Sequence, residues 1–132
     1  MPGSIADFDG DGVPDCLVAE ERQSGTFALL LLEGAGSGSQ NLGLVAMPLA
    51  TPTVIVYQPA GQLPVAVMTG ALGANTGQAL VYQWKSGTFR LLLKVDGNRI
   101  AQSAEAGWPV LAVTAGGQTR VYGWDGTKYT ER

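Results

Sequence analysis

The feature that most constrains the fold of this chain is an internal repeat anchored on proline. The segments 12–18, 62–68 and 107–113 each place a proline two residues after their start and an apolar run after it. Pro14, Pro64 and Pro109 lie 50 and 45 residues apart. Repeats of roughly 40–50 residues are typical of arrays such as β-propellers, in which each repeat is one blade.

A second anchor supports the same division. Val-Tyr-Gln-Trp at 81–84 recurs as Val-Tyr-Gly-Trp at 121–124, and an aromatic residue, Phe89 or Tyr129, follows five positions after each tryptophan. The distance from proline to this anchor is longer in the second unit. We expect the extra residues to lie in the hairpin turn between positions 69 and 77, because turns tolerate insertions.

Each unit reads as four short strands separated by glycine, asparagine and aspartate turns. The predicted strands are 4–6, 16–20, 26–32 and 42–47; 53–57, 65–69, 78–84 and 89–95; and 99–103, 110–114, 119–124 and 128–131. We interpret 34–39 as a hairpin turn, not a linker. The predicted fold is all-β: three four-stranded antiparallel propeller blades, about 1–50, 51–97 and 98–132, in a single domain spanning 1–132.

Composition agrees with this interpretation. The chain has 19 glycines, 7 prolines, 45% hydrophobic residues and only 14% charged residues, which excludes a disordered chain. Segments 28–32 and 91–93 are apolar at consecutive positions. This favours sheets stacked between other sheets over a sandwich with one wet face.

The first unit also carries an aspartate-rich loop, Asp-Phe-Asp-Gly-Asp-Gly-Val-Pro-Asp, at positions 7–15. Ca2+ takes six to eight oxygen ligands at roughly 2.3–2.6 Å, and glycine lets a short loop curl around an ion. We predict a Ca2+ site with side-chain ligands from Asp7, Asp9, Asp11 and Asp15 and the backbone carbonyl of Val13.

The spacing distinguishes this loop from an EF-hand, which needs an acidic residue at position twelve, where this chain has Val18. The pattern D-x-D-G-D-G-x-x-D followed by an apolar strand resembles the FG-GAP/VCBS type of calcium-binding repeat of integrin-like β-propellers. The resemblance implies that the loop joins the first two strands of a blade. Thrombospondin type 3 repeats have a similar core, but with further aspartates and paired cysteines that are absent here.

The other two units lack these ligands. Counted from the proline, the matching positions hold Tyr57, Pro59, Gly61 and Val65 in the second unit and Gln102, Ala104, Ala106 and Val110 in the third. We therefore expect one Ca2+ site, with a structural role.

Several function classes are disfavoured. The net charge is −3, and neutralising the four loop aspartates would bring it to about +1, so the acidity is local to the loop. The sequence shows no basic patch that would predict nucleic-acid binding. The chain has no histidine, no arrangement of nucleophile and base, and no apolar run of transmembrane length. We expect neither an enzyme nor membrane insertion. The single cysteine, Cys16, is expected to be a small buried strand residue, with a reactive thiol or an intermolecular disulfide as the alternatives.

The aromatic residues allow two interpretations. They could form a carbohydrate-binding surface, or they could pack between blades, which the recurrence of Val-Tyr-x-Trp favours. Trp108 stands in the predicted turn before a strand and is the best candidate for an exposed aromatic.

Three blades are fewer than the roughly four to eight of a closed propeller. Two chains could close a six-bladed ring, neighbours in an assembly or filament could cover the open faces, or further blades could lie on sequence absent here. We expect a non-enzymatic, Ca2+-stabilised module for adhesion or assembly, extracellular or in the cell envelope, with no leader visible. The alternatives are a filament subunit, and a carbohydrate-binding module or a fragment of a propeller hydrolase or lyase.

Overall fold

The computed structural model describes residues 3–23, 26–32, 39–46, 53–73 and 75–132, and these form twelve β-strands. The strands are β1 (Gly3–Ala6), β2 (Asp15–Gln23), β3 (Thr26–Leu32), β4 (Ser39–Ala46), β5 (Thr53–Tyr57), β6 (Val65–Gly73), β7 (Thr76–Lys85), β8 (Thr88–Gly97), β9 (Arg99–Glu105), β10 (Trp108–Ala115), β11 (Gln118–Trp124) and β12 (Tyr129–Glu131). The prediction of an all-β, antiparallel fold is confirmed. The described ranges hold no helix that could cross a membrane.

The strands form three four-stranded sheets, each a meander in chain order. The first sheet contains β1 to β4, the middle sheet β5 to β8, and the third sheet β9 to β12. Every pairing is antiparallel. Each predicted strand overlaps one observed strand, because alternating apolar positions and intervening turn residues are local signals.

The predicted long turn between β6 and β7 is wrong. The extra residues lengthen both strands instead, and pairing continues through Gly70 with Gln78 and Ala71 with Gly77, with a bulge between Ala71 and Gly73. Extending the ladder satisfies backbone groups that a longer loop would leave to water. The turn predicted at 34–39 falls largely outside the described residues, although Leu32 pairs with Ser39 across it.

The middle sheet is covered on both faces, and its strands alternate between two cores. Ala66 and Met68 of β6 face the first sheet, whereas Val65 and Val67 face the third. The core between the first and middle sheets contains Phe8, Leu17, Ala66, Met68, Leu80, Tyr82 and Phe89. The core between the middle and third sheets contains Val65, Val67, Ala79, Val81, Val95, Trp108, Leu111 and Val113. Burial on both faces explains the consecutive apolar residues 65–68 of β6 and 79–82 of β7.

The sequence predicts that the apolar residues 91–93 are buried on both faces of their strand, and this holds only in part. Leu92 and Leu93 are half-buried against the core between the middle and third sheets, whereas Leu91 is exposed. Within 28–32, only the side chain of Leu32 is described, and it is exposed. Nothing further about that run is described.

The connection between the first two strands of each sheet differs in length. It spans 7–14 in the first sheet, 58–64 in the middle sheet and only 106–107 in the third. Counting from the proline placed Tyr57 and Gln102 in loops equivalent to the aspartate-rich one, but both are strand residues. Glu105 is the last residue of β9. The third connection is a two-residue hairpin in which Ala106 and Gly107 have φ of 52° and 82°, as a type I′ turn requires.

The prediction that Trp108 is exposed is wrong. The short turn places Trp108 at the start of β10, where it is only 8% exposed. Its ring stacks on Trp124, with centroids 4.1 Å apart and planes 6° apart, and meets the edge of Tyr129. Among the residues whose side chains are described, no tryptophan, tyrosine or phenylalanine is classed as exposed.

Candidate metal centre

The aspartate-rich loop is the connection between β1 and β2, as the resemblance implies. Ala6 pairs with Asp15 and closes the loop at its base. Gly10 and Gly12 have φ of 78° and 85°, in the left-handed region that glycine adopts with least strain. These two positions let the chain reverse direction while its carboxylates point inward.

Asp7 organises the tip of the loop. Its Oδ1 accepts hydrogen bonds from the backbone N–H of Gly10 at 3.0 Å and of Asp11 at 3.1 Å, and its Oδ2 accepts one from Gly12 at 2.9 Å. Aspartate favours such local bonds to amides a few residues on. The loop conformation therefore follows from its own sequence.

Asp9 and Asp11 each accept a similar hydrogen bond, from the backbone N–H two residues further along the chain. Asp9 Oδ1 accepts a hydrogen bond from the N–H of Asp11 at 3.2 Å, and Asp11 Oδ1 accepts one from the N–H of Val13 at 2.8 Å. Val13 is exposed. Its predicted role as a carbonyl ligand stays a prediction.

Asp15 is the buried member of the set, at 1% exposure. Its Oδ2 accepts hydrogen bonds from the backbone N–H of Phe8 at 3.0 Å and of Asp9 at 3.4 Å. A buried carboxylate is stable only when hydrogen-bonded or paired with a positive charge. Asp15 thus joins the start of β2 to the opposite side of the loop.

The fold brings together the four predicted aspartates, Asp7, Asp9, Asp11 and Asp15. Each offers one carboxylate oxygen, and these oxygens all lie within 4.8 Å of one another. Within the described part of the chain, this is the one cluster of at least three potential ligand residues of this kind. The cluster has the geometry to hold a metal ion.

Burial, neighbouring charges and hydrogen bonds shift the pKa of two of these carboxylates in opposite directions. The pKa of Asp9 is raised to about 6, first by burial of its carboxylate and then by the negative charges of Asp15 and Asp11, while a hydrogen bond from the backbone N–H of Asp11 opposes the rise. Burial alone would raise the pKa of Asp7. Hydrogen bonds, chiefly from the backbone of Gly12 and the side chain of Asp9, outweigh it and lower that pKa. A bound cation would relieve the repulsion.

Phe8 is the loop residue whose packing role was not predicted from the sequence. Its side chain is fully buried in the core between the first and middle sheets. Its ring meets the edge of Phe89 on β8, with centroids 5.3 Å apart. The signal was available: Phe8 is a large apolar side chain inside an otherwise polar, glycine-rich loop, and such a residue needs a place to be buried.

A second contact holds the loop against the middle sheet. A Cβ atom added at Gly10 would lie 2.9 Å from Leu63 Cδ2, in the connection between β5 and β6. The loop therefore lies against the equivalent connection of the next sheet.

Two other acidic residues make contacts of a different kind. Asp125 accepts hydrogen bonds from the N–H of Thr127 and Lys128 at 2.8 Å each and forms a local turn. Glu105 forms a bidentate ion pair with Arg132, with both N–O distances at 2.7 Å. Each has structural partners outside the four-aspartate cluster.

No protein-family model, curated protein or solved structure matches this chain significantly.

Proposed function

We propose that this chain is a non-enzymatic module of three propeller-type blades, stabilised by one Ca2+ ion, that serves in extracellular adhesion or protein assembly. The convergence of four carboxylates within 4.8 Å in one nine-residue loop is the observation that carries the proposal. The resemblance of this loop to FG-GAP/VCBS repeats supports the same family of modules.

A set of four carboxylates favours Ca2+ over Mg2+, because Mg2+ usually keeps several waters and binds through only one or two carboxylates. Two oxygens bound to one Ca2+ ion can lie up to about 5 Å apart, whereas Mg2+ ligands can be separated by only about 4.2 Å. The loop oxygens lie within 4.8 Å of one another, a separation that two ligands of one Ca2+ ion can have. Asp7, Asp9, Asp11 and Asp15 would hold the ion, and the Val13 carbonyl would add a backbone ligand.

A structural role for the ion is supported by what the loop contacts. Phe8 lies between two of the proposed ligands and is buried against the middle sheet, and Gly10 approaches Leu63 of that sheet. An ion that fixes the loop would therefore fix the first sheet on the middle one.

The blade arrangement is supported by the order of the sheets. Three consecutive meanders stack in chain order, and the middle one is covered on both faces. This is how neighbouring blades pack in a propeller. A site of this kind, with affinity in the range of extracellular calcium modules, about 0.1–1 mM, would be filled outside the cell.

Isothermal titration calorimetry with Ca2+ and with Mg2+ tests the proposal. We expect one Ca2+ per chain, much weaker Mg2+ binding, and loss of the Ca2+ signal in Asp11→Asn. Asp125→Asn, which changes an aspartate outside the cluster, should bind as the wild type does. Absence of Ca2+ binding at millimolar concentration, or equal binding by Asp11→Asn, would refute it.

A further inference from the structure

The two contacts between the sheets follow one repeated rule. The face of the first sheet that carries Leu17 packs on the face of the middle sheet that carries Ala66 and Met68. The opposite face of the middle sheet, with Val65 and Val67, packs on the face of the third sheet that carries Leu111 and Val113. Counted from the proline of each unit, Leu17 and Val67 occupy equivalent positions, as do Ala66 and Leu111. Each contact therefore joins the same two kinds of face, head to tail.

This rule leaves one face of the third sheet without a partner among the described residues. Ala112 and Val121 are the repeat equivalents of Val67 and Val81, which are fully buried in the middle sheet. In the third sheet both are only half-buried. They form a row with Ala101, because Ala112 pairs with Ala101 on one side and with Val121 on the other. We call this row the open face of the third sheet.

Among the described residues, the first sheet has the opposite open face. Ile5, Cys16 and Leu32 form a row across β1, β2 and β3 through the pairs Ile5–Cys16 and Cys16–Leu32. Ile5 is 74% exposed and Leu32 is 41% exposed. Cys16 is the repeat equivalent of Ala66 and Leu111, which are both buried under the preceding sheet. We call this row the open face of the first sheet.

The two open faces differ in side-chain size, and both are uncharged along their rows. The third sheet presents small or branched side chains, while the first sheet presents Ile5 and Leu32, which are larger. None of the six residues in the two rows is charged. On the third sheet, polar pairs flank the row on the same face: the hydroxyls of Thr114 and Thr119 are 2.8 Å apart at one end, and Glu105 pairs with Arg132 at the other.

We propose that the open face of the third sheet binds the open face of the first sheet of a second copy of this chain. This inference rests on the proposed blade-like stacking and extends it by naming the partner and both surfaces. The contact is heterologous, so it closes a ring if the rotation between copies allows and otherwise continues as a filament. In either case the second copy repeats the contacts that already join the sheets within one chain.

Analytical ultracentrifugation of three variants tests this arrangement. Ile5→Asp and Ala101→Asp each place a charge on one open face, at positions that are exposed in the single chain and therefore cost little folding stability. Ser86→Asp places the same charge in an exposed turn of the middle sheet as the matched control. Thermal unfolding of each variant checks that it remains folded.

The wild type and Ser86→Asp should associate, whereas Ile5→Asp and Ala101→Asp should each sediment as single chains. An equimolar mixture of the two single-chain variants should regain a two-chain complex, because one intact pair of faces survives in it. A monomeric wild type at about 100 µM, or a mixture that stays monomeric, would overturn the proposal. Loss of association in only one of the two variants would indicate a symmetric contact and would also overturn it.

The single cysteine provides a second readout. Cys16 lies in the open face of the first sheet. In the assembled wild type, a maleimide should therefore label Cys16 several-fold more slowly than in the Ala101→Asp variant, which leaves this face unchanged but should not assemble. Equal labelling rates would contradict the assignment. Calorimetric Ca2+ titration of the same samples separates this proposal from the calcium site. A chain that associates but does not bind Ca2+ refutes only the calcium site, and a chain that binds Ca2+ but stays monomeric refutes only this proposal.

Discussion

At the scale of single residues, each loop aspartate serves the backbone as well as the proposed ion. Asp7, Asp9 and Asp11 accept hydrogen bonds from amides two to five positions further along the chain. These bonds shape the loop, while the four negative charges oppose its closure. Replacing aspartate by asparagine retains an acceptor oxygen and removes a charge, so it separates the two roles.

Asp9→Asn should therefore have opposite effects in two conditions. In EDTA we expect its free energy of unfolding to equal or exceed that of the wild type, because one source of repulsion is gone. In Ca2+ at 100 times the dissociation constant, the wild type should gain about 2.7 kcal/mol and the variant much less. Urea denaturation with and without Ca2+ measures both, with Asp125→Asn as the control that should gain as much as the wild type. A variant equally destabilised in both conditions would show that Asp9 acts only through packing.

At the scale of elements, the connections between the first two strands explain what could be predicted from sequence. The aspartate cluster could be predicted in full because its four residues lie within nine positions and act locally. The environment of Trp108 could not, because the prediction assumed connections of similar length in all three units. A two-residue turn in the third unit carries Trp108 into β10 and onto Trp124.

Two hairpin turns that contain glycine allow backbone strain to be separated from contact with a neighbouring sheet. Ser86–Gly87 and Ala106–Gly107 are both two-residue hairpin turns, with glycine φ of 83° and 82°. A Cβ at Gly87 would meet nothing within 4 Å, whereas one at Gly107 would lie 2.7 Å from Pro59 Cα.

We expect Gly87→Ala to cost about 1–2 kcal/mol through backbone strain alone. Gly107→Ala should cost about 1–3 kcal/mol more, because it separates the third sheet from the connection of the middle sheet. Chemical denaturation of both variants measures the difference. Equal losses would mean that the two sheets do not meet at this point.

Phe8 links the loop to the core, and its removal should destabilise the whole chain. Phe8→Ala is expected to cost about 3–5 kcal/mol, as for other buried phenylalanines. Val13→Ala, an apolar truncation at a 38% exposed position of the same loop, should change stability by less than about 0.5 kcal/mol. Urea denaturation in EDTA compares them without a contribution from Ca2+. Similar, small losses for both would show that Phe8 is not a core residue.

At the scale of the whole molecule, three similar units form a stack whose middle member is buried on both faces. The repeat and the strand patterns predict the number of units and the all-β class. Which faces meet depends on contacts between distant parts of the chain. The ring of Phe8 packs on that of Phe89, and the Tyr57 hydroxyl donates a hydrogen bond to Gln102 Oε1 at 2.7 Å. No local pattern encodes these pairs.

The central claim is that the loop from Asp7 to Asp15 binds Ca2+ and thereby holds the first sheet on the middle one. The thermal unfolding midpoint of the wild-type chain, followed from EDTA through increasing free Ca2+, tests it most directly. The account predicts a midpoint that rises steadily with the logarithm of the Ca2+ concentration above the dissociation constant, with little response to Mg2+ at the same concentrations. A midpoint that is the same in EDTA and in 10 mM Ca2+ would contradict it.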